Sequence, residues 1–424
     1  MEKIVITGGK PLAGEVHVSG AKNAVLKLMA ASLMTDQECI IRNVPNIKDV
    51  KTMMDILRSI GAVVELSADG VMRIQAKELS WEAPDASARE MRASIQVMGP
   101  LLARLGKARL SHPGGCDLGA RPVDLHLAGF RKMGAVIQEE YGHITGQSVR
   151  LRGQEIYLDY PSVGATENLM MAAVLAEGNT VVRNAAKEPE IIEVQNFLNC
   201  MGARVRGAGT DTIKVQGVRE LGGADHTVIP DRIEAGTFMV AAVMTGSEIA
   251  ISPVISEHLE MVRAKLREAG AEIEVAGETA WVKGNAHILP IQVRSAPHPG
   301  FPTDMQPQFL ALLSMAEGVS IVTESVYTNR FRHVDELQRM GASITVDGRL
   351  AVVRGPRHLT GARVRASDLR AGAALVLAGL AADGVTEIEG VGHIDRGYEN
   401  LEQKLCGLGA DIHRELTVPV EALI

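Results

Sequence analysis

Six stretches of this chain are apolar almost all the way round a helix: NAVLKLMAASLM (23–34), MRASIQVMGPLLARL (91–105), ATENLMMAAVLAEG (165–178), IEAGTFMVAAVMTG (233–246), DMQPQFLALLSMAEG (304–318) and DLRAGAALVLAGLAADG (368–384). A helix without a polar face belongs inside a domain, and the many alanines, glycines and serines here let backbones approach closely. A β-prone run follows each, as in CIIRNV, TVVRNA, IAISPV and VSIVTESV. A second series is helix-like, ends in Gly-Ala and leads into β-prone residues: ILRSIGAVVEL, FRKMGAVIQEE, FLNCMGARVRG, LREAGAEIEV, LQRMGASITV and LCGLGADIH. Its glycines, Gly61, Gly134, Gly202, Gly270, Gly341 and Gly409, recur at spacings of 73, 68, 68, 71 and 68. A glycine just past a helix supplies the left-handed residue that ends it.

The two series run in phase and define six units. Each reads as buried helix, strand, loop, amphipathic helix, Gly-Ala stop and strands. One unit cannot cover its own apolar helix. Grouped by threes, the units predict an α/β protein of two inside-out domains, each of three pseudo-symmetric repeats with buried helices and outer sheets. Two ordinary layered α/β domains are the plainer alternative.

Composition narrows the function classes. The 424 residues exceed one compact core. Hydrophobic content is 46% and aromatic content 3%, so the cores are built from Ala, Val, Leu, Ile and Met. A net charge of −7 argues against a nucleic-acid binder. Four cysteines, Cys39, Cys116, Cys200 and Cys406, show no CxxC pairing, so neither a disulfide framework nor a metal site is expected. The start MEKIVITGGK has no basic-then-apolar leader pattern, and the longest uncharged apolar run, 371–382, is too short to cross a bilayer. The expectation is a cytoplasmic protein with small-molecule partners, no nucleic acid and no membrane, as a monomer or weak homo-oligomer.

Chemistry concentrates where the repeats differ. The buried helices begin with Lys22 and Asn23, Arg92, Ser162 to Gly164, Asp231 and Arg232, Asp304, and Arg370. Helix N-termini carry unpaired N–H groups and partial positive charge, so their convergence would make an anion site. Loops add Cys116, Arg121, Arg330 and Arg396. Taken singly, a loop arginine is usually solvated, and Thr166 in GATEN reads as a helix cap. A free cysteine is usually a buried, inert thiol; Cys39, Cys200 and Cys406 read that way. Cys116 lies instead in a glycine-rich loop with His112 and Arg121 close in sequence, and cationic neighbours favour the reactive thiolate.

Ordered motifs then point to a family. SGAKNA (19–24), MRASI (91–95), HPGGCDLGARPVDLH (112–126), PSVGATENLMMAA (161–173), NAAKEPEI (184–191), PDRIEAGTF (230–238), APHPGFPTDMQPQF (296–309), NRFRHVDEL (329–337), DLRAGAALVLAGL (368–380) and HIDRGYE (393–399) resemble the UDP-N-acetylglucosamine 1-carboxyvinyltransferases. These are the enolpyruvyl transferases that open bacterial peptidoglycan synthesis. The resemblance implies two inside-out α/β domains: residues 1–21 with 230–424, and residues 22–229, which carry the Cys116 loop. It also implies a ligand cleft that closes, with Gly114 and Gly115 in a lid that excludes water.

The implied reaction moves the enolpyruvyl group of phosphoenolpyruvate to the sugar 3′-hydroxyl of UDP-N-acetylglucosamine and releases phosphate. A shikimate-type transferase, or a non-catalytic UDP-sugar-binding relative, is the alternative. By the match, Lys22, Arg92, Arg121, Arg330, Arg370 and Arg396 hold phosphoenolpyruvate, arginine suiting carboxylate and phosphate through its planar fork. Lys22 and Arg396 count with the catalytic set. Asp304 is the implied base for the sugar hydroxyl. Cys116 is the implied acid, covalent nucleophile or aid to product release, and the thiol with which fosfomycin, a small epoxide phosphonate, reacts. Asn23 and Val326 are implied at the sugar, Arg121, Pro122, Val123, Asp124 and Leu125 at the uridine and diphosphate, and Ser162, Val163 and Gly164 as main-chain donors. Tyr160 and Pro161 stand where some members carry a lysine towards the diphosphate. No cofactor is implied.

Overall fold

Six helices end at the glycines that the sequence marks. The computed structural model describes residues 2–83, 92–112, 123–356 and 358–416, with only the backbone of Arg92. The helices are Lys48–Ser59, Asp124–Lys132, Pro189–Cys200, Glu260–Glu268, Val334–Arg339 and Leu401–Gly407. Gly61, Gly134, Gly202, Gly270, Gly341 and Gly409 follow them with φ between 94° and 103°. After each glycine an alanine N–H returns to a carbonyl five residues back: Ala62 to Leu57, Ala135 to Phe130, Ala203 to Leu198, Ala271 to Leu266, Ala342 to Leu337 and Ala410 to Leu405, at 2.9 to 3.0 Å. This is the Schellman bond, which satisfies a carbonyl the helix end would otherwise orphan. Every acceptor is a buried Leu or Phe, so each stop is also tied to the core.

The apolar series forms the inner helices. Ala24 to Ala31, Ala165 to Val174, Ile233 to Met244, Gln306 to Leu313 and Leu369 to Leu380 are buried without interruption. Close approach depends on small residues. A Cβ on Gly99 would stand 2.4 Å from Asn168 Oδ1 and 2.5 Å from its carbonyl oxygen. Residues 91–105, expected as one helix, divide into a 3₁₀ segment Arg92–Val97 and an α-helix Met98–Leu105. Pro100 has no N–H to offer Gln96, so the α-helical ladder starts only where proline falls in the first turn.

Among the described residues six small sheets carry the outer strands, and the five four-stranded ones share one plan, while Lys107–Ser111, His143–Gln147 and Val136–Glu140 form an antiparallel sheet of three. Glu155–Tyr157 runs parallel to Asn179–Arg183, which pairs antiparallel with Thr212–Gln216, and that strand with Arg204–Arg206. The same order recurs in Gln292–Arg294, Val319–Thr323, Leu350–Arg354 and Ile344–Asp347. In the sheet of Arg363–Arg365 and Val385–Glu389, the third place is taken by Glu2–Thr7, with Ile4 opposite Ile388. Ala13–His17 likewise supplies the parallel partner of Glu248–Ser252. Strands alternate buried and open positions, as with Ile249 and Ile251 inward, the pattern of a sheet covered on one face.

The described residues form two compact units. One comprises the chain up to Ser19 together with the chain from Pro230; the other runs from Gly20 to Ile229. Each holds three inner helices, three sheets and its own hydrophobic cluster. No helix among the described residues is long and apolar enough to cross a membrane.

Two local expectations are corrected. Ser162, not Thr166, caps the helix Val163–Val174 by accepting the Ala165 N–H; Thr166 is buried and its hydroxyl accepts the Ala186 N–H at 3.1 Å. Cys39 is buried, but Cys200 and Cys406 are exposed. Phe197 and Leu198, and likewise Leu405, take the inward positions of those helices, so the cysteines beside them turn to solvent.

Candidate active site

In the unit that contains Asp304, three inner helices begin at Arg232, Gln306 and Leu369. Asp231 caps the first, accepting from Ile233 and Glu234 N–H, and Asp368 caps the last, accepting from Arg370 and Ala371 N–H. Asp304 lies in the 3₁₀ turn Thr303–Met305 that leads into the second. Its two oxygens are gripped from two sides. Arg330 Nη2 reaches Oδ1 at 3.2 Å, and Arg370 Nη2 reaches Oδ2 at 3.1 Å. The arginine side chains are 1% and 4% exposed, whereas Asp304 is 28% exposed. The carboxylate is therefore the member open to a substrate. The expectation of solvated loop arginines fails for Arg330 because it also donates to the Thr303 carbonyl through Nε and Nη2 and stands 3.9 Å from Asp368.

Arg370 is held from behind. Its guanidinium lies 5.3 Å from the centre of the Tyr398 ring. The Tyr398 hydroxyl is paired with Thr237 Oγ1 at 2.9 Å and receives Gln308 Nε2 at 3.2 Å, and burial pushes its phenol up. Arg370 Nε and Nη1 are buried and make no hydrogen bond to a described residue. Buried charged donors left unpaired are costly, so this pair is the strongest local sign of an anion site. His333, fully buried near Arg330 and Asp368, is pushed down to about 4 by burial and adds no charge at neutral pH. Arg396 ends the 3₁₀ segment Val391–Arg396, two residues before Tyr398, and Val326 lies beyond the strand Val319–Thr323.

In the other unit, Lys22 opens the helix Lys22–Ala31, and its Nζ pairs with Asp49 Oδ2 at 2.8 Å. Lys27 Nζ, one turn on, donates to the Asn23 carbonyl and stands 3.4 Å from Glu167. Asn168 knits the neighbouring helix ends: Oδ1 accepts the Gly99 N–H, and Nδ2 reaches the Ile95 carbonyl and His126 Nδ1. Gln96 Nε2 donates to the Gly164 carbonyl at 3.1 Å, so Ser162, Val163 and Gly164 stand beside the 3₁₀ segment that starts at Arg92. Of the RPVDL stretch, Val123 is buried, Leu125 half-buried and Asp124 exposed at the start of its helix. Cys116, Arg121, Pro122 and the glycines Gly114 and Gly115 lie outside the described residues, as does the side chain of Arg92.

Sequence reasoning missed the charge partners. Asp49 and Asp368 are ordinary first-turn and cap residues by pattern, and Tyr398 is a lone aromatic in a quoted motif. The described residues contain no cluster of three or more metal-ligating side chains.

Buried inner helices whose ends present a carboxylate between two arginines define an α/β protein with a cationic setting suited to an anion, and comparison with known proteins gives the class. The profile of EPSP synthase (3-phosphoshikimate 1-carboxyvinyltransferase) matches residues 6–405, and the chain belongs to this family of enolpyruvyl transferases. Within it, the chain is 55% identical over 416 residues to UDP-N-acetylglucosamine 1-carboxyvinyltransferase 2 of Carboxydothermus hydrogenoformans, covering 98% of this chain and 99% of that one. It is 56% identical over 419 residues to UDP-N-acetylglucosamine 1-carboxyvinyltransferase 1 of Symbiobacterium thermophilum, covering 97% and 95%. Among solved structures, the enolpyruvyl transferase NikO from Streptomyces tendae superposes with a TM-score of 0.90 at 27% identity, over 98% of this chain and 99% of that one. EPSP synthase from Acinetobacter baumannii, at a TM-score of 0.72 and 21% identity over 98% and 100%, shares the fold.

Proposed function

We propose that this chain transfers the enolpyruvyl group of phosphoenolpyruvate to the 3′-hydroxyl of UDP-N-acetylglucosamine and releases phosphate. The observation that carries the reading is the partly open Asp304 carboxylate held between the buried Arg330 and Arg370. Relatives named for this reaction at more than half identity support it. In the addition step, the sugar oxygen bonds to the central carbon of phosphoenolpyruvate and gives its proton to Asp304, while the methylene carbon takes a proton from a general acid, for which Cys116 is the candidate. In the elimination step, that methyl carbon returns a proton to the group that supplied one, the bond from the central carbon to the phosphate oxygen breaks, and phosphate leaves with the electron pair.

Arg330, Arg370, Arg396, Lys22, Arg92 and Arg121 hold the carboxylate and phosphate in this reading. Asn23 and Val326 meet the sugar. Ser162, Val163 and Gly164 join Arg121, Pro122, Val123, Asp124 and Leu125 at the nucleotide. Cys116 serves as acid, nucleophile or aid to product release. The activity places the chain in the cytoplasm, at the first committed step of peptidoglycan synthesis, and so in cell-wall growth, cell shape and division.

Phosphate release is the deciding measurement. The expected result is turnover of phosphoenolpyruvate with UDP-N-acetylglucosamine and none with shikimate 3-phosphate. The reverse preference overturns the acceptor, and binding of the nucleotide sugar without phosphate release overturns catalysis.

Fosfomycin supplies a second prediction. Treatment is expected to add one inhibitor mass and abolish turnover, and Cys116→Ser to remove the added mass. Intact-mass measurement must exclude Cys200 and Cys406, both solvent-exposed. An adduct that persists in the serine variant assigns the reaction to one of them.

A further inference from the structure

Glu324 follows the strand Val319–Thr323 and is fully buried, yet its carboxylate collects three hydrogen bonds. Oε1 accepts the N–H groups of Val326 at 2.7 Å and Tyr327 at 3.0 Å. Oε2 accepts the Thr303 hydroxyl at 2.9 Å. A buried carboxylate is tolerated only where such bonds replace water. One side chain thus ties together two segments that are 21 residues apart in sequence: the turn that carries Asp304 and the loop that carries Val326. Arg330 closes the same loop onto the turn, donating to the Thr303 carbonyl and to Asp304.

We propose that Glu324 is a positioning residue for the acceptor sugar. It holds the Asp304 turn and the Val326–Tyr327 loop as one rigid piece, so that the group taking the hydroxyl proton and Val326, which meets the sugar in this reading, keep a constant separation. The inference rests on the reading above, in which Asp304 and Val326 meet the sugar. Small misplacements of such a pair are expensive, because reacting atoms must be brought within about 3–3.5 Å. Glu324 touches neither substrate in this account; it acts through Thr303, Val326 and Tyr327.

The chemistry of the site chooses the variants. In Glu324→Gln the amide oxygen can still accept both backbone N–H groups, and the amide nitrogen can donate to the Thr303 oxygen. All three links survive, one with its direction reversed. Glu324→Ala removes all three, and Thr303→Val removes only the tie between turn and loop.

Steady-state kinetics of the full chain, with both substrates varied, is the test. Glu324→Ala is expected to raise KM for UDP-N-acetylglucosamine about tenfold, to lower kcat, and to leave KM for phosphoenolpyruvate within about twofold; Glu324→Gln is expected to restore the nucleotide-sugar KM to within about threefold of the parent. Thr303→Val is expected to move the same KM in the same direction, which keeps the inference testable if the alanine variant does not fold. A purely structural role lowers kcat with the folded fraction and moves neither KM. That result, or a glutamine variant as impaired as alanine, overturns the inference. A parent chain that turns over shikimate 3-phosphate and not the nucleotide sugar overturns the acceptor assignment itself, and is distinguished by being seen before any substitution is made.

Discussion

Asp304→Asn is expected to lower kcat about 10³-fold, as loss of a general base does, while KM for phosphoenolpyruvate stays the same or falls. The direction of the KM effect comes from charge. Asp304 shares its single negative charge between the guanidinium groups of Arg330 and Arg370, both almost fully buried, and Asp368 stands 3.9 Å from Arg330. Removing its negative charge leaves more of the cationic charge, that of Arg370 above all, to an anionic substrate and removes a repulsion. Asparagine keeps the shape and one acceptor oxygen, but its NH₂ group then faces a guanidinium donor. One of the two contacts, 3.2 Å to Arg330 or 3.1 Å to Arg370, must open. Phosphate release at saturating concentrations of both substrates gives kcat, and a melting curve confirms the fold. A kcat within tenfold of the parent places the base elsewhere.

Lys404→Met is expected to be the most destabilising single change discussed here, and strongly dependent on pH. Glu234 sits inside the helix Arg232–Met244 and is buried. Its Oε1 receives Lys404 Nζ at 2.6 Å and its Oε2 the Ser19 N–H at 2.8 Å. Lys404 also donates to the Ser19 hydroxyl at 2.7 Å. Burial pushes the Glu234 carboxyl up to about 7, against the opposing pull of Lys404. The folded value therefore lies above the ordinary carboxyl value of 4.5. Stability from the bound proton is complete below about pH 4.5 and is lost as pH rises through about 7.

Without Lys404 the carboxylate has no cation to offset its burial, so the loss grows once the proton must leave. At pH 8, about one pH unit above the folded value, keeping the proton on a Glu234 that has lost its cation adds about 1.4 kcal/mol, so a total loss of about 2–3 kcal/mol is expected there. At pH 5 the carboxyl is protonated, and only hydrogen bonds are lost, about 1 kcal/mol. Adding Glu234→Gln to Lys404→Met is expected to recover most of the loss at pH 8 and to flatten the pH dependence. Urea midpoints at the two pH values measure this. An equal loss at both would show that Lys404 acts through packing alone.

Much of the fold is legible in the chain because its cause is local. A residue that must take φ near +95° and return an N–H five positions back is satisfied by Gly-Ala after a buried Leu or Phe, and six such sites at near-equal spacing announce six repeats. The all-round apolar segments announce the inner helices for the same kind of reason: burial on every side requires apolar residues on every side. The glycine-rich stretch that bears Cys116 carries its signal in sequence alone, and lies outside the described residues.

The candidate site was legible residue by residue but not as an arrangement. The sequence by itself marks Asp304, Arg330 and Arg370 as polar groups at helix ends and in a loop. Only the tertiary structure puts them in contact across 26 and 66 residues, buries the arginines and leaves the carboxylate partly open. It alone pairs Lys22 with Asp49, joins Glu234 to Lys404 across 170 residues, and turns Cys200 and Cys406 outward. The difference is physical. A helix stop is decided by the torsion angles and hydrogen bonds of a few neighbouring residues, which the chain states outright. A charge partner is decided by which helix ends the packing brings together, and no local pattern records that.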